Sequence, residues 1–166
     1  MTSVLFLCTG NAARSVMAGA ALRARRPDLE IATAGTLTVD GLPISWRTRA
    51  ALDDVGLPWP RHASRQAVAA DLARSDLIIG LAPEHVTWVR REHPVATSRT
   101  ATLIRLADSL SPPTDSLAAR LAALQLATLE LRADEEVVDP GGGEVDAFIA
   151  SARRIVELVD RLSPLL

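Results

Sequence analysis

Short apolar runs alternate with segments of helical periodicity along this chain, and this alternation restricts the fold more than any other feature of the sequence. Runs typical of strands occupy residues 3–7, 30–34, 76–81 and 100–103. Spacings typical of helices occupy residues 15–26, 43–55, 65–74, 83–93, 116–131 and 144–162. Strands separated by helices form parallel sheets that are covered on both faces. We therefore predict an α/β fold in which a single three-layer domain is built on a four-stranded parallel sheet.

Length and composition are consistent with one domain over residues 1–166. A chain of 166 residues can bury about two-thirds of its unfolded surface without a disulfide or metal. The net charge of −2 gives no reason to expect a nucleic acid or an anionic membrane as a partner. One cysteine excludes an internal disulfide, and no apolar run approaches the ~18 residues of a membrane span. We expect a cytoplasmic monomer or weak dimer with no cofactor and no metal.

The loop after the first predicted strand has the composition of an anion-binding site. It reads Cys-Thr-Gly-Asn-Ala-Ala-Arg-Ser from residue 8 to residue 15 and leads directly into a predicted helix. In parallel sheets, ligands bind beyond the carboxyl ends of the strands, where such loops enter helices. Backbone N–H groups and a helix N-terminus together favour phosphate. We predict that the phosphate-binding residues are Thr9, Gly10, Asn11, Ala12, Ala13, Arg14 and Ser15.

Two side chains of this loop supply the chemistry. The planar guanidinium of Arg14 can hold two phosphate oxygens. A cysteine at a helix N-terminus beside an arginine is favoured as a thiolate, so we predict that Cys8 is a nucleophile that forms a cysteinyl-phosphate. Ser15 can donate a hydrogen bond to the thiolate. Gly10 is expected to supply the unusual backbone angles that a ring of amides requires.

Cys8 also has a less specific, non-catalytic interpretation. A lone cysteine after an apolar strand is usually a small buried hydrophobe. The preceding strand, the Gly-Asn pair, the following serine and the helix together favour catalysis at Cys8. His85 and His93 have no metal-ligand spacing with each other or with Cys8, so we interpret both as structural. The tryptophans are interpreted as packing residues.

The loop from residue 8 to residue 15 resembles the signature of the low-molecular-weight protein tyrosine phosphatases, Cys-x-Gly-Asn-x-Cys-Arg-Ser. Three further segments resemble that family in the same order: Ala-Thr-Ala-Gly-Thr at residues 32–36, His-Ala-Ser-Arg-Gln at residues 62–66 and Asp-Pro at residues 139–140. The resemblance therefore extends over nearly the whole chain. It implies a phosphorylated protein as the partner, with tyrosine as the default phosphorylated residue.

The resemblance also implies a role for each matching residue. Cys8 is the nucleophile and Arg14 binds the phosphate. Asp139 is the general acid that protonates the leaving group and then the base that activates water, a contribution worth about 10²–10⁴ in rate. Asn11 holds the loop in shape within a hydrogen-bond network that includes two supporting residues, Thr33 and His62.

The sequence departs from the family pattern around the pocket mouth. Ala13 stands where the family has a second cysteine, and Gly141 and Gly142 stand where it has tyrosines. Residues 37–40 contain no aromatic side chain. Ala12, at the variable position of the loop, is small. Catalysis is predicted to be intact, whereas a preference for phosphotyrosine does not follow.

Four functions are therefore compatible with the sequence. The leading one is a metal-independent, cysteine-dependent phosphomonoester hydrolase of the protein-tyrosine-phosphatase type. A related alternative is a protein arginine phosphatase. A different class is an arsenate reductase, which would need an external thiol because the chain has only one cysteine. A non-catalytic phosphate-binding module ranks last, since both Cys8 and Asp139 are present.

Overall fold

A four-stranded parallel sheet forms the centre of the computed structural model, which describes residues 1–166. Its strands lie in the order β2-β1-β3-β4 and span, in chain order, Ser3–Cys8 (β1), Glu30–Gly35 (β2), Leu77–Gly80 (β3) and Thr100–Thr102 (β4). Strand β1 pairs with a neighbour on each side. The predicted sheet is confirmed, and the residue that ends its central strand is Cys8.

Seven α-helices cover the sheet. They span Arg14–Arg25 (α1), Trp46–Asp54 (α2), Ala69–Arg74 (α3), Pro83–Glu92 (α4), Leu103–Ser109 (α5), Leu117–Ala123 (α6) and Val145–Leu162 (α7). Short 3-10 turns occupy Pro94–Arg99, Ala133–Glu135 and Ser163–Leu165. None of these helices combines the length and the apolarity that crossing a bilayer requires.

Alternate residues of β1 enter two separate apolar cores because successive side chains of a strand point to opposite faces. Val4 and Phe6 belong to a large core of 32 buried residues that includes residues from α1, α2, α5 and α7. Leu5 and Leu7 belong to a smaller core of 8 residues on the other face, which draws on α3 and α4. This division gives the three predicted layers.

Helices α2 and α3 begin later than the sequence pattern predicted. The side chain of Ser45 accepts a hydrogen bond from Thr48 N, so α2 begins at Trp46 and not near residue 43. Residues 65–67 are extended rather than helical, because Arg65 and Ala67 exchange backbone hydrogen bonds with Gly35 at the end of β2. This extended segment lies next to the loop at the end of β1.

The region after β4 differs most from its prediction. Helix α5 was not predicted, although Thr102 caps it by accepting a hydrogen bond from Arg105 N. The helix predicted over residues 116–131 ends at Ala123. Gln125 has a positive φ of 52°, a conformation that a right-handed helix excludes, so the chain turns although apolar residues continue at helical spacing.

Candidate active site

The loop from Cys8 to Ser15 lies at the carboxyl end of β1 and connects it directly to α1. Its first residues are fixed by the chain that leaves β2, because Thr36 N donates to Cys8 O at 2.9 Å and Leu37 N donates to Thr9 O at 3.1 Å. Gly35 is required for this approach, since a Cβ atom there would lie 2.6 Å from Thr9 O. The neighbouring strand thus sets the direction in which the loop leaves the sheet.

The left-handed residue of the loop is Asn11, with a φ of 49°. The expectation that Gly10 supplies the unusual backbone angle is wrong, because the φ of Gly10 lies outside the positive range. Asparagine is one of the few residues with a Cβ that adopt this conformation readily. The turn of the loop is therefore encoded by the residue after the glycine.

Four hydrogen bonds hold the fully buried Asn11. Its Nδ2 donates to Ser15 Oγ and to Thr33 Oγ1, both at 3.0 Å. Its Oδ1 accepts from Arg65 N at 3.1 Å, and its carbonyl oxygen accepts from His62 Nε2 at 2.7 Å. The structure therefore brings Asn11, Thr33 and His62 together, and it adds Arg65, whose contribution through a backbone amide had no signal in the sequence.

Successive carbonyl groups of the loop are bound by side chains from outside it. Thr38 Oγ1 donates to Gly10 O at 2.6 Å, and Thr48 Oγ1 donates to Ala12 O at 3.1 Å. His62 binds the carbonyl between them. The amides from Thr9 to Ser15 donate to no acceptor in the chain. A run of such amides, continued by the uncapped N-terminus of α1, is an anion-binding arrangement.

The thiol of Cys8 lies beside this run of amides. Cys8 Sγ is 3.0 Å from Ser15 Oγ, at the N-terminus of α1. The Nδ2 group of Asn11 only donates, so Ser15 Oγ accepts from it, and the serine proton remains free to bond to the sulfur. Cys8 is also buried, with 3% of its surface exposed. Cys8 is therefore buried, as a structural cysteine would be, and it also contacts the loop through Ser15.

Arg14 connects the loop to the segment that carries Asp139. Its buried guanidinium donates from Nη1 to Val137 O at 3.0 Å and from Nη2 to Asp139 Oδ2 at 2.8 Å. The other oxygen of Asp139 accepts from Gly141 N at 2.9 Å. The Asp139 side chain is 51% exposed, so it stands at the mouth of the site and faces solvent.

His85 also lies in this region, although its lack of metal-ligand spacing predicts only a structural role. It is buried, its Nδ1 accepts from Ala82 N at 3.0 Å, and its Nε2 lies 3.1 Å from Thr9 Oγ1. Burial, assisted by the charge of Arg14 and opposed by that of Asp139, lowers the pKa of His85 to about 3. The sequence signal for its place near the loop is its position in the first turn of α4, directly after β3. Strand β3 ends at the same edge of the sheet as β1.

The fold and the loop together define an α/β protein with an oxyanion-binding loop built around a cysteine and an arginine. The family model of the low molecular weight phosphotyrosine protein phosphatases matches residues 3–112. The chain therefore belongs to that family, whose members are cysteine-based, metal-independent phosphatases. The predicted family is confirmed, and the motifs at residues 8–15, 32–36 and 62–66 lie within the matched residues. The Asp-Pro motif at residues 139–140 lies outside them, and its role stays a prediction.

Individual relatives of this chain differ in the substrate that their names give. A low molecular weight protein-tyrosine-phosphatase of Streptomyces coelicolor is 39% identical over 116 residues, which cover 66% of this chain and 69% of the relative. A protein-arginine-phosphatase of Geobacillus stearothermophilus is 24% identical over 161 residues, covering 96% and 93%.

Solved structures of both kinds share the fold. The YwlE arginine phosphatase from Geobacillus stearothermophilus superposes with a TM-score of 0.78 at 24% identity, covering 98% of this chain and 91% of that one. A low molecular weight protein tyrosine phosphatase from T. tengcongensis gives 0.79 at 23% identity and covers 100% of both chains. Likeness of fold therefore does not separate the two substrates.

Proposed function

We propose that this protein removes phosphate from a phosphorylated protein through a cysteinyl-phosphate formed on Cys8. The observation that carries the proposal is the run of amides from Thr9 to Ser15 that donate to no acceptor in the chain, beside the thiol of Cys8 and the guanidinium of Arg14. Seven donors without a partner are costly unless an anion or water binds them. A phosphate monoester carries the negative charge and several acceptor oxygens that such donors favour.

The proposed reaction has two displacements at phosphorus. Cys8 Sγ attacks the phosphorus, the bond to the leaving group breaks, and Asp139 gives a proton to the leaving atom. Water then attacks the cysteinyl-phosphate while Asp139 takes its proton, the S–P bond breaks, and inorganic phosphate leaves. Arg14 and the loop amides balance the charge on the equatorial oxygens in both steps. When phosphate binds to the guanidinium of Arg14, a phosphate oxygen has to replace Asp139 Oδ2 as the partner of Nη2.

Phosphotyrosine is the first candidate substrate and phosphoarginine the second. The family match and the Streptomyces coelicolor relative support phosphotyrosine. The residues at the family's aromatic positions support phosphoarginine, because residues 37–40 contain no aromatic side chain and Gly141 and Gly142 replace tyrosines. The aromatic side chain beside the loop is that of Trp88, which lines a cavity together with Thr9 and Leu37. The Geobacillus stearothermophilus relative, similar over almost its full length, supports phosphoarginine as well.

The decisive experiment compares kcat/KM for phosphotyrosyl and phosphoarginyl versions of one peptide. We expect hydrolysis of at least one of them without metal, and no turnover by Cys8→Ser, which should still bind vanadate. The larger kcat/KM assigns the substrate. Turnover that survives Cys8→Ser would refute the mechanism. Arsenate reduction that requires an added small thiol would assign the protein to the reductases instead.

We further propose that residues 1–166 function as one cytoplasmic domain, as a monomer or weak dimer, with no nucleic acid partner. The single cysteine and the net charge of −2 support this setting. Light scattering of the purified protein tests the oligomeric state, and a mass near 17.7 kDa is expected at low concentration.

A further inference from the structure

A cavity of about 460 Å³ lies beside Asn11, and its lining does not include Cys8, Arg14 or Asp139. It is lined by Arg23, Arg61, His62 and Arg65 together with smaller side chains, and we call it the arginine cavity. Thr33, His62 and Arg65 all line it and all hold Asn11 through the hydrogen bonds described above. The wall of the arginine cavity therefore also supports the phosphate-binding loop.

The arginine cavity concentrates positive charge in a chain whose net charge is −2. Among its arginines, only Arg65 has a carboxylate partner, Asp71 at 2.7 Å, and Asp71 also binds Arg74. Arg23 donates to the carbonyl oxygen of Ile31 at 2.6 Å, and burial lowers the pKa of its guanidinium. Arg23 and Arg61 are exposed and have no carboxylate partner, so their charges are balanced by no group of the chain. An anion in the cavity would supply that counter-charge.

His62 faces the arginine cavity with a ring nitrogen that is free to respond to an anion. A carbonyl oxygen only accepts, so the nitrogen that contacts Asn11 O, Nε2, carries a hydrogen. The other nitrogen, Nδ1, has no hydrogen-bond partner in the chain. Burial lowers the pKa of His62, and the positive charge of Arg23 lowers it further, whereas the hydrogen bond to Asn11 O raises it. An anion nearby would favour protonation of Nδ1 and so add a further donor.

We infer that the arginine cavity is a second anion site, which binds a phosphate group and through His62 and Arg65 stabilises the loop conformation at Asn11. Guanidinium groups match phosphate geometry through paired hydrogen bonds. The volume is within the range of small-molecule sites, so the cavity accommodates inorganic phosphate or a small organic phosphate. Because His62 binds the carbonyl of Asn11, an anion that charges the imidazole strengthens that hydrogen bond.

Equilibrium dialysis counts the phosphates that each chain binds. Labelled inorganic phosphate and glycerol phosphate are tested separately in a Cys8→Ser background, so that neither binding depends on turnover. The cavity variant adds Arg23→Gln and Arg61→Gln, which keep the aliphatic stems. A matched control adds Arg153→Gln and Arg154→Gln on the exposed face of α7.

The Cys8→Ser parent and the control should each bind one phosphate more than the cavity variant. A difference with both ligands identifies the phosphate group itself as the ligand, and a difference with glycerol phosphate alone identifies an organic phosphate. Equal numbers in the parent and the cavity variant would overturn the inference. This outcome is separate from failure of the proposed hydrolysis, because all the proteins compared carry the same Cys8→Ser substitution and differ only in their arginines.

Two further measurements apply if the double substitution disturbs folding. Arg61→Gln alone, at an exposed residue, should weaken the additional binding by about tenfold, the effect expected for one charged hydrogen bond. In nuclear magnetic resonance titrations of the parent, phosphate should raise the pKa of His62, and this response should be smaller in Arg61→Gln. Unchanged affinity together with an unchanged response would also overturn the inference.

Discussion

The two halves of the candidate active site are held in very different ways. Asn11 is fully buried, donates hydrogen bonds to Thr33 of β2 and Ser15 of α1, and accepts one from His62. Asp139 is half-exposed and is held by Arg14 and by Gly141 N. The folded chain therefore fixes the phosphate-binding half before any ligand arrives. The position of Asp139, the proposed acid, depends on an arginine that phosphate would also contact.

Arg14 belongs to both halves, so its substitution should have the largest effect. Arg14→Lys keeps the charge but loses the planar fork that reaches Val137 O and Asp139. We expect kcat/KM to fall by about 10³, the scale of losing a charged donor to the transition state. Arg153→Lys is the control, because Arg153 forms a similar paired contact with Asp54 away from the site. A loss below about tenfold would contradict this assignment.

Substitution of Asn11 tests whether the phosphate-binding half is fixed by folding. Asn11→Ala leaves buried partners unsatisfied and places a less tolerant residue at a φ of 49°, so we expect the free energy of unfolding to fall by about 3 kcal/mol. Asn11→Gly removes the backbone strain and should recover about 1 kcal/mol of this loss. Urea denaturation measures both. Equal stability of the two variants would show that the left-handed turn carries no strain.

Substitution of Asp139 should change catalysis far more than stability. The amide oxygen of Asp139→Asn still accepts from Arg14, whose buried guanidinium also keeps its bond to Val137 O, so the free energy of unfolding should fall by only about 1 kcal/mol. We expect kcat to fall by about 10² for a leaving group that needs a proton, and much less for an activated aryl phosphate. Steady-state kinetics on the two substrates test this. Equal slowing of both would exclude Asp139 as the acid.

His85 should give the protein a pH-dependent stability. Burial lowers its pKa from 6.5 to about 3, so below pH 6.5 the unfolded chain takes up a proton that the folded chain does not. This contribution is therefore complete above the unfolded pKa and is lost as the pH falls towards the folded one, with a slope of about 1.4 kcal/mol per pH unit. His85→Asn, measured by urea denaturation against His93→Asn, should reduce that slope. Identical slopes would contradict the prediction.

The sequence predicted the parts of the molecule that depend on local pattern. The strand before Cys8, the loop and helix α1 follow from apolar runs and spacing, and the motifs pointed to Thr33 and His62, both of which contact Asn11. The predictions that were wrong concern backbone angles. Nothing in the residue order separates a left-handed Asn11 from a left-handed Gly10.

Contacts between segments that are distant along the chain could not be predicted from the sequence either. Helix α6 ends early because Gln125 turns the chain, although the apolar spacing continues past it. The approach of His85 to Thr9 joins residues 76 positions apart and becomes visible only when β1 and β3 lie side by side. The arginines around His62 likewise come from separate segments of the chain, at residues 23, 61 and 65.

The most direct test is to identify the residue that carries phosphate during turnover. Rapid acid quench of the reaction with a phosphorylated peptide, followed by mass spectrometry, should find a phosphoryl group on the peptide that contains Cys8, and none in Cys8→Ser. Continued product formation with the phosphoryl group on another residue, or on none, would contradict nucleophilic attack by this sulfur.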